Sequence, residues 1–340
     1  MNTLFYKISN YLKVIPLNIL IKGTGQRNIY PFYHAVSDEE LIHIKHLYKV
    51  RTVKEFERDL DFLLKYYTPV DFHTLKTNLS TKKNTFLLSF DDGLREFHDV
   101  IAPVLLRKGI PAVCFLNSGF IDNKDLFFRY KASLLLEKLM NGKISDNLHK
   151  EIAHWFKSKG LNADYQSLLS VNHLNRNYLD ELAEMLEIDF QAYLQKVQPY
   201  LTSGQIQNLI TQGFDFGAHS IDHPLFSDLT EAQQLEQTRQ SIRTIVENFH
   251  LNYKTFSFPF TDDGVSMNFF RTVFDEDNRL ADITFGCAGL KKERCPKNLQ
   301  RIPIEIDDFS LQEVVRGEYL YYTCKSLFNK NRINRKPYGN

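Results

Sequence analysis

Runs of consecutive aliphatic and aromatic residues recur along this chain, most followed by a stretch with apolar positions at helical spacing. "TFLLSF" (85–90), "PAVCFLN" (111–117), "FDFGAHS" (214–220) and "KTFSFPF" (254–260) read as buried strands. "ADITFGCAG" and "LQRIPIEI" add two more, and "NIYPFYHAVSD" (28–38) gives a short one ending at His34. In "TVKEFERDLDFLLKYY" (52–67), Phe56, Leu60, Leu63 and Leu64 fall at helical spacing, with Thr52 and Glu55 placed as a capping box. "EFHDVIAPVLLRKGI" predicts a helix ending near Gly109, "SGQIQNLITQG" one stopped by Gly213, and Thr230 caps another. Alternation of this kind calls for parallel strands with helical crossovers. Roughly seven strand–helix units fit a closed or nearly closed α/β barrel better than an open sheet.

The alternation is interrupted once. Residues 122–202 are polar-helical, with segments such as "YKASLLLEKLM" and "NYLDELAEMLEIDFQAYLQKV", and show no strand-like period. The expected organisation is a helical N-terminal segment (1–27), a barrel from 28–121 and 203–320, a helical insertion (122–202) and a basic C-terminal tail (321–340). The insertion is read as a lid or a substrate-side wall.

Composition narrows the function classes. The 340 residues are 43% hydrophobic and 24% charged, which suits a globular chain with a sizeable core. A net charge of +1 gives no reason to expect a nucleic-acid partner. Cys114, Cys287, Cys295 and Cys324 form no CxxC pair, so reduced structural thiols are expected. No stretch reaches the ~18 apolar residues of a membrane span. The opening 25 residues are interrupted by Lys13, Pro16 and Asn18 and lack a small-residue cleavage site, so they read as an amphipathic helix rather than a signal peptide. A cytoplasmic location is expected on that basis, with peripheral membrane contact left open.

The informative chemistry is at strand ends. Asp91 and Asp92 follow the 85–90 strand directly, and Gly93 lets the chain turn sharply after them. One carboxylate suffices to cap the next helix; a second like charge at a buried strand end asks for a cation. His219 and His223, four residues apart after another strand, are spaced as two imidazoles on one helical turn and suit a divalent metal. In a parallel barrel all strand C-terminal ends meet on one face. One aspartate and two histidines then supply three ligands and leave a position for water, while the other aspartate is free to take a proton.

"SFDDG", "HSIDHP" and "FSFPF" closely resemble the three main motifs of the polysaccharide deacetylases, the NodB-like carbohydrate esterases of family 4. The resemblance covers roughly residues 28–121 and 203–306 and implies a distorted barrel of seven β/α units. It implies that Asp91 is the catalytic base and that Asp92, His219 and His223 hold the metal, most readily zinc, with cobalt and nickel also suited. The implied reaction is hydrolysis of an N-acetyl group, less often an O-acetyl ester, on an amino sugar in a surface polysaccharide or its precursor. Water bound to the metal would attack, with the metal and a backbone N–H near Pro259 and Phe260 stabilising the oxyanion.

Two departures stand out. The family's third motif usually carries an arginine that holds the base, and Ser257 occupies that position. Arg301, in "LQRIPI", is the expected substitute, the alternative being a surface ion pair. Many relatives use a late histidine as general acid, and none follows "TFGCAGL". His34, matching an early Tyr-His in a subgroup acting on poly-N-acetylglucosamine, is expected to replace it. The rival readings are a catalytically inactive glycan-binding protein and a deacetylase or deformylase acting on a lipid- or nucleotide-linked sugar. His43 and His46 are expected to be solvated, Asp222 to sit behind the metal histidines or cap a turn, and Asp262 and Asp263 to serve a turn before Gly264.

Overall fold

The structure, a computed structural model, describes residues 3–11, 15–78, 83–162 and 164–338. Its centre is a parallel sheet built from β1 (Pro31–Tyr33), β2 (Leu88–Phe90), β3 (Ala112–Leu116), β4 (Asp215–Ala218), β5 (Thr255–Ser257), β6 (Ile283–Gly286) and β7, which is split into Asn298–Gln300 and Ile302–Pro303. The split closes the sheet. The first half of β7 pairs with β6 (Asn298 opposite Thr284), and the second half pairs with β1 (Ile302 opposite Pro31). Arg301 is the single residue between the halves, so the sheet returns on itself as a seven-run barrel. Short segments continue two of the strands: Asn28–Ile29 precedes β1 and Thr85–Phe86 precedes β2, and both belong to a small parallel sheet with Thr68–Pro69.

Local chemistry explains the crossovers. The helix Val53–Tyr66 starts at a capping box in which the Thr52 hydroxyl accepts from Glu55 N and the Glu55 carboxylate accepts from Thr52 N. Helix Ala102–Lys108 stops at Gly109, whose φ of 65° provides the left-handed cap, and a single π turn (Phe97–Ile101) leads into it. Thr202 and Thr230 cap helices Ser203–Thr211 and Glu231–Phe249 in the same reciprocal way. The buried core joins barrel and helices through Phe90, Phe97, Phe214 and Phe216, whose rings meet edge-on or tilted.

No strand lies between Leu116 and Asp215 among the described residues. That stretch forms helices Phe128–Asn141, Asp146–Ser158, Asn177–Met185 and Phe190–Val197 around a separate cluster including Leu135, Ile152, Leu179 and Leu182. The polar-helical run 177–197 is divided into two helices, the second capped by Asp189. At the beginning of the chain, Thr3–Tyr11 and Leu17–Thr24 form two helices, the second opening after Pro16; residues 12–14 of the expected single helix lie outside the described residues.

The C-terminal segment departs from the solvated tail expected of it. The last helix, Leu311–Ser326, runs past residue 321, and Arg335 beyond it is buried. The Arg335 guanidinium bonds both Glu293 carboxylate oxygens through Nε at 3.0 Å, donates to the Asp262 carbonyl at 2.9 Å, and also meets the Asp262 carboxylate. Asp262 is correspondingly buried, accepts from Asn298 and Gln300, and is no mere turn residue. Two buried carboxylates need a cation, and the basic segment folds back to supply it. Replacing Arg335 by Met should therefore cost about 3–5 kcal/mol by leaving that charge uncompensated. Denaturant unfolding checks this; a loss under about 1 kcal/mol would return the segment to the status of a tail.

Candidate active site

The barrel brings Asp91, Asp92, His219 and His223 to one end, all at least 95% buried. Asp91 and Asp92 follow β2 and point to different partners because the chain turns between them. Asp92 has φ 70° and Gly93 φ 67°. A side chain at Gly93 would put its Cβ 2.7 Å from Leu116 Cδ2, which would have to shift, and the left-handed φ there favours glycine in any case.

The histidine pair is assembled differently from its spacing argument. Residues 219–223 form no helical turn; Ser220 and His223 are left-handed, at φ 70° and 60°. The loop nonetheless puts the two ring centroids 4.9 Å apart. Backbone strain of this kind, of order 1–3 kcal/mol per residue, is retained where the surroundings hold it, and Phe260 (φ 56°) adds another instance beside the site.

The donor set is oriented from behind. His219 Nδ1 is 2.8 Å from the Ser257 carbonyl, which fixes Nδ1 as the protonated nitrogen and leaves the Nε2 lone pair facing Asp92, 3.6 Å away. His223 Nε2 is 3.2 Å from the same Asp92 Oδ1. Tyr130 donates to Asp92 Oδ2 at 2.8 Å, and Asp92 Oδ1 is buried without a hydrogen-bond partner. A buried, unpaired carboxylate oxygen between two imidazole nitrogens fits a divalent cation, and Asp92, His219 and His223 offer ligand atoms within 4.8 Å of one another. Among the described residues this is the single group of His, Cys, Asp or Glu so arranged. Burial pushes His219 down to about 4, so the ring is neutral, as a ligand must be. Burial alone would raise Asp92, but the imidazoles beside it hold it far below the usual carboxylate range.

Asp91 is held by Arg301. Arg301 Nη1 donates to Asp91 Oδ1 and Nη2 to Oδ2, both at 2.7 Å. The guanidinium, wholly buried inside the barrel, also bonds the Ser89 hydroxyl at 3.1 Å and the Ser257 hydroxyl at 2.5 Å, and lies 4.1 Å from the Phe32 ring. Arg301 thus reaches the space beside Ser257 from β7, at the seam where the barrel closes. Burial opposes ionisation of Asp91, and the arginine overcomes it, leaving the carboxyl below its ordinary value.

His34, after β1, lies across the site. Its Nδ1 is 2.5 Å from Glu305 Oε2, and that carboxylate also accepts from the His34 backbone. Burial would lower the ring, but Glu305 lifts it to about 9. Since Glu305 takes Nδ1, Nε2 is the nitrogen left for the cavity. Tyr48 packs on the ring at 4.8 Å. That cavity, about 220 Å³, is lined by His34, Tyr48, Asp91, Asp92, His219 and His223, with Phe127, Arg129 and Phe260 among its walls. A larger cavity of about 510 Å³ against Glu318 and Arg332 holds none of these groups.

Five groups at the site escaped the sequence: Glu305, Tyr48, Tyr130, Phe127 and Arg129. Glu305 alternates correctly in "RIPIEI" to share a face with Arg301, which was an available signal; Tyr48 lies in the loop after His34 and the other three sit in the helical insertion, and none of these had one. Asp222, between His219 and His223 in sequence, accepts from His173 and Gln237 and pairs with Arg176. His43, expected in solvent, is buried with Nδ1 2.9 Å from the Tyr193 hydroxyl, because the insertion covers it; His46 is half-buried against Glu137.

The sequence profile of the family described as polysaccharide deacetylase matches residues 78–268, more than half of the chain. The chain belongs to the polysaccharide deacetylase family. Solved structures share the deacetylase fold at low identity. The Streptococcus pyogenes deacetylase PplD in complex with acetate is 13% identical, with TM-score 0.52 over 85% of this chain and 97% of that one. IcaB from Ammonifex degensii is 14% identical, with TM-score 0.53 over 86% and 97%. BC0361, a polysaccharide deacetylase from Bacillus cereus, is 12% identical, with TM-score 0.50 over 86% and 68%. No curated protein sequence matches the chain.

Arg301→Met should destabilise this deacetylase-family barrel by about 3–5 kcal/mol at neutral pH, because Asp91 stays buried without its cation. Asp91 is depressed in the folded wild type, so its contribution is complete above the unfolded value of ~4 and is lost as pH falls through the lower folded value. In the variant, burial without the arginine raises Asp91, so the difference between wild type and variant, read by denaturant unfolding, should begin to shrink above pH ~4 and keep shrinking as pH falls below it. A pH-independent difference would show that Arg301 acts by packing alone.

Proposed function

We propose that this protein is a metal-dependent deacetylase that hydrolyses N-acetyl groups on an amino sugar in a surface polysaccharide or its precursor. The observation that carries the reading is the division of labour between neighbouring carboxylates. Asp92 turns an unpaired oxygen toward two histidine nitrogens, while Asp91 is clamped by Arg301 and faces the same cavity. A cation site alone would not need a second carboxylate held in place this way, which weighs against a purely glycan-binding role.

Asp92, His219 and His223 would hold the divalent cation, which when bound would supply Lewis acidity to the acyl carbonyl and to water. The chain's own groups do the rest. Asp91, kept ionised and fixed in direction by Arg301, accepts the proton of the attacking water through a remaining lone pair. His34, kept protonated by Glu305, donates from Nε2 to the departing amine nitrogen. Tyr48, Phe127 and Phe260 line the cavity and exclude water around the acetyl group. The backbone beside Pro259 and Phe260, fixed in its left-handed conformation at Phe260, supports the oxyanion. The cavity, about 220 Å³, would receive the acetamido group and its sugar ring at the reacting position.

The test is acetate release from N-acetylglucosamine oligomers and from a nucleotide-linked acetamido sugar, with zinc- or cobalt-loaded protein. Asp91→Asn should lower kcat by at least ~10²-fold. Retention of near-full activity would remove Asp91 from the role of base. His34 works while protonated, so kcat/KM should fall as pH rises through its folded value. Glu305→Gln removes the charge that lifts it and should move the alkaline limb to lower pH. An alkaline limb that does not move in Glu305→Gln would exclude His34 as the acid.

A further inference from the structure

The near-neutral total hides a strong division of charge. Residues 1–37 and 319–340 together carry nine Lys and Arg and no Asp or Glu, one of the nine, Arg335, being buried against Asp262 and Glu293, whereas the remaining 281 residues carry 33 basic and 41 acidic ones. The fold brings the two basic ends together. The helix Thr3–Tyr11 lies antiparallel on the last helix: the Phe5 ring is 5.4 Å from Tyr321, the Tyr6 hydroxyl donates to Glu318, and the Ser9 hydroxyl donates to the Glu313 carbonyl. The helix Leu17–Thr24 flanks the same helix, with Arg316 bonded to the Ile15 carbonyl and Gln26 to the Tyr322 hydroxyl.

This flank also exposes large apolar side chains. Leu4, Ile19, Leu327 and Phe328 are 57, 60, 78 and 72% exposed, and Ile8 stands one turn from Leu4 on the same side of its helix. The cations stand among them. Lys7 and Lys22 are exposed on the two helices, Lys325 lies over Tyr321, and Lys292, from a neighbouring loop, lies over Tyr322. No helix of the described residues is long and apolar enough to cross a membrane.

We infer that this flank is a docking surface for an anionic lipid membrane, with the aliphatic and aromatic side chains entering the headgroup region and the lysines pairing with lipid phosphates. The charge selects an anionic partner. The apolar side chains beside the lysines select a bilayer over nucleic acid or an acidic polymer, neither of which would take up exposed leucine and phenylalanine. The reading is independent of the chemistry proposed for the barrel, since every group named lies outside the catalytic cavity.

The test is co-sedimentation of the full chain with vesicles of phosphatidylglycerol and phosphatidylcholine, against vesicles of phosphatidylcholine alone, across a salt series. Binding should need the anionic lipid and weaken as salt rises. Lys7→Glu/Lys22→Glu/Lys325→Glu should weaken it by at least ~10-fold, since each basic residue near the surface is worth a factor of about five. Leu4→Ser/Phe328→Ser should also weaken it, with unfolding transitions of both variants near that of the wild type. No preference for anionic vesicles, or wild-type binding by both variants, would overturn the proposal. So would a concentration-dependent dimer without lipid that Leu4→Ser/Phe328→Ser abolishes, which would give the face to a second copy.

Discussion

The ion pair between Arg301 and Asp91 is the constraint around which this barrel is arranged. A guanidinium at the centre of a closed sheet is costly unless its donors are met, and here two go to one carboxylate and two to the Ser89 and Ser257 hydroxyls, leaving Nε without a hydrogen-bond partner. The same residue marks the point where the last strand exchanges β6 for β1 as its partner. The side chain that orients Asp91 therefore comes from the seam at which the barrel closes. The Phe32 and Phe115 rings on its faces keep water from competing for the pair.

From that fixed point the neighbouring carboxylate is free to do something else. The left-handed turn at Asp92 and Gly93 sends the second side chain toward the histidines, where Tyr130 occupies one oxygen and leaves the other open. Two like charges in sequence, costly to bury together, are separated by giving one to an arginine and the other to a site shaped for a cation. Tyr130 comes from the helical insertion, so the insertion contributes directly to the site. Its neighbours Phe127 and Arg129 line the cavity wall.

Much of this was legible in the sequence where the signal is local. The strands around residues 88, 113, 216 and 256 announce themselves by apolar runs, and the helix starts by their capping residues. The motif residues could be placed because each follows a strand. What escaped is long-range pairing. Glu305 meets His34 across 271 positions and Arg335 meets Asp262 across 73, and nothing local at either end tells a buried partner from a solvated one. The same blindness put His43 in solvent, since only the folded insertion covers it. The histidine spacing pointed to two imidazoles that do meet, though an irregular loop, not a helical turn, brings them together.

The most direct test of the account separates the two aspartates by what each holds. Zinc binding to metal-free protein would be measured by titration calorimetry for the wild type, Asp91→Asn and Asp92→Asn. One equivalent should bind to the wild type and to Asp91→Asn, and binding should weaken by at least ~10-fold in Asp92→Asn. Loss of zinc from Asp91→Asn with retention by Asp92→Asn would contradict the assignment of one carboxylate to the metal and the other to the proton.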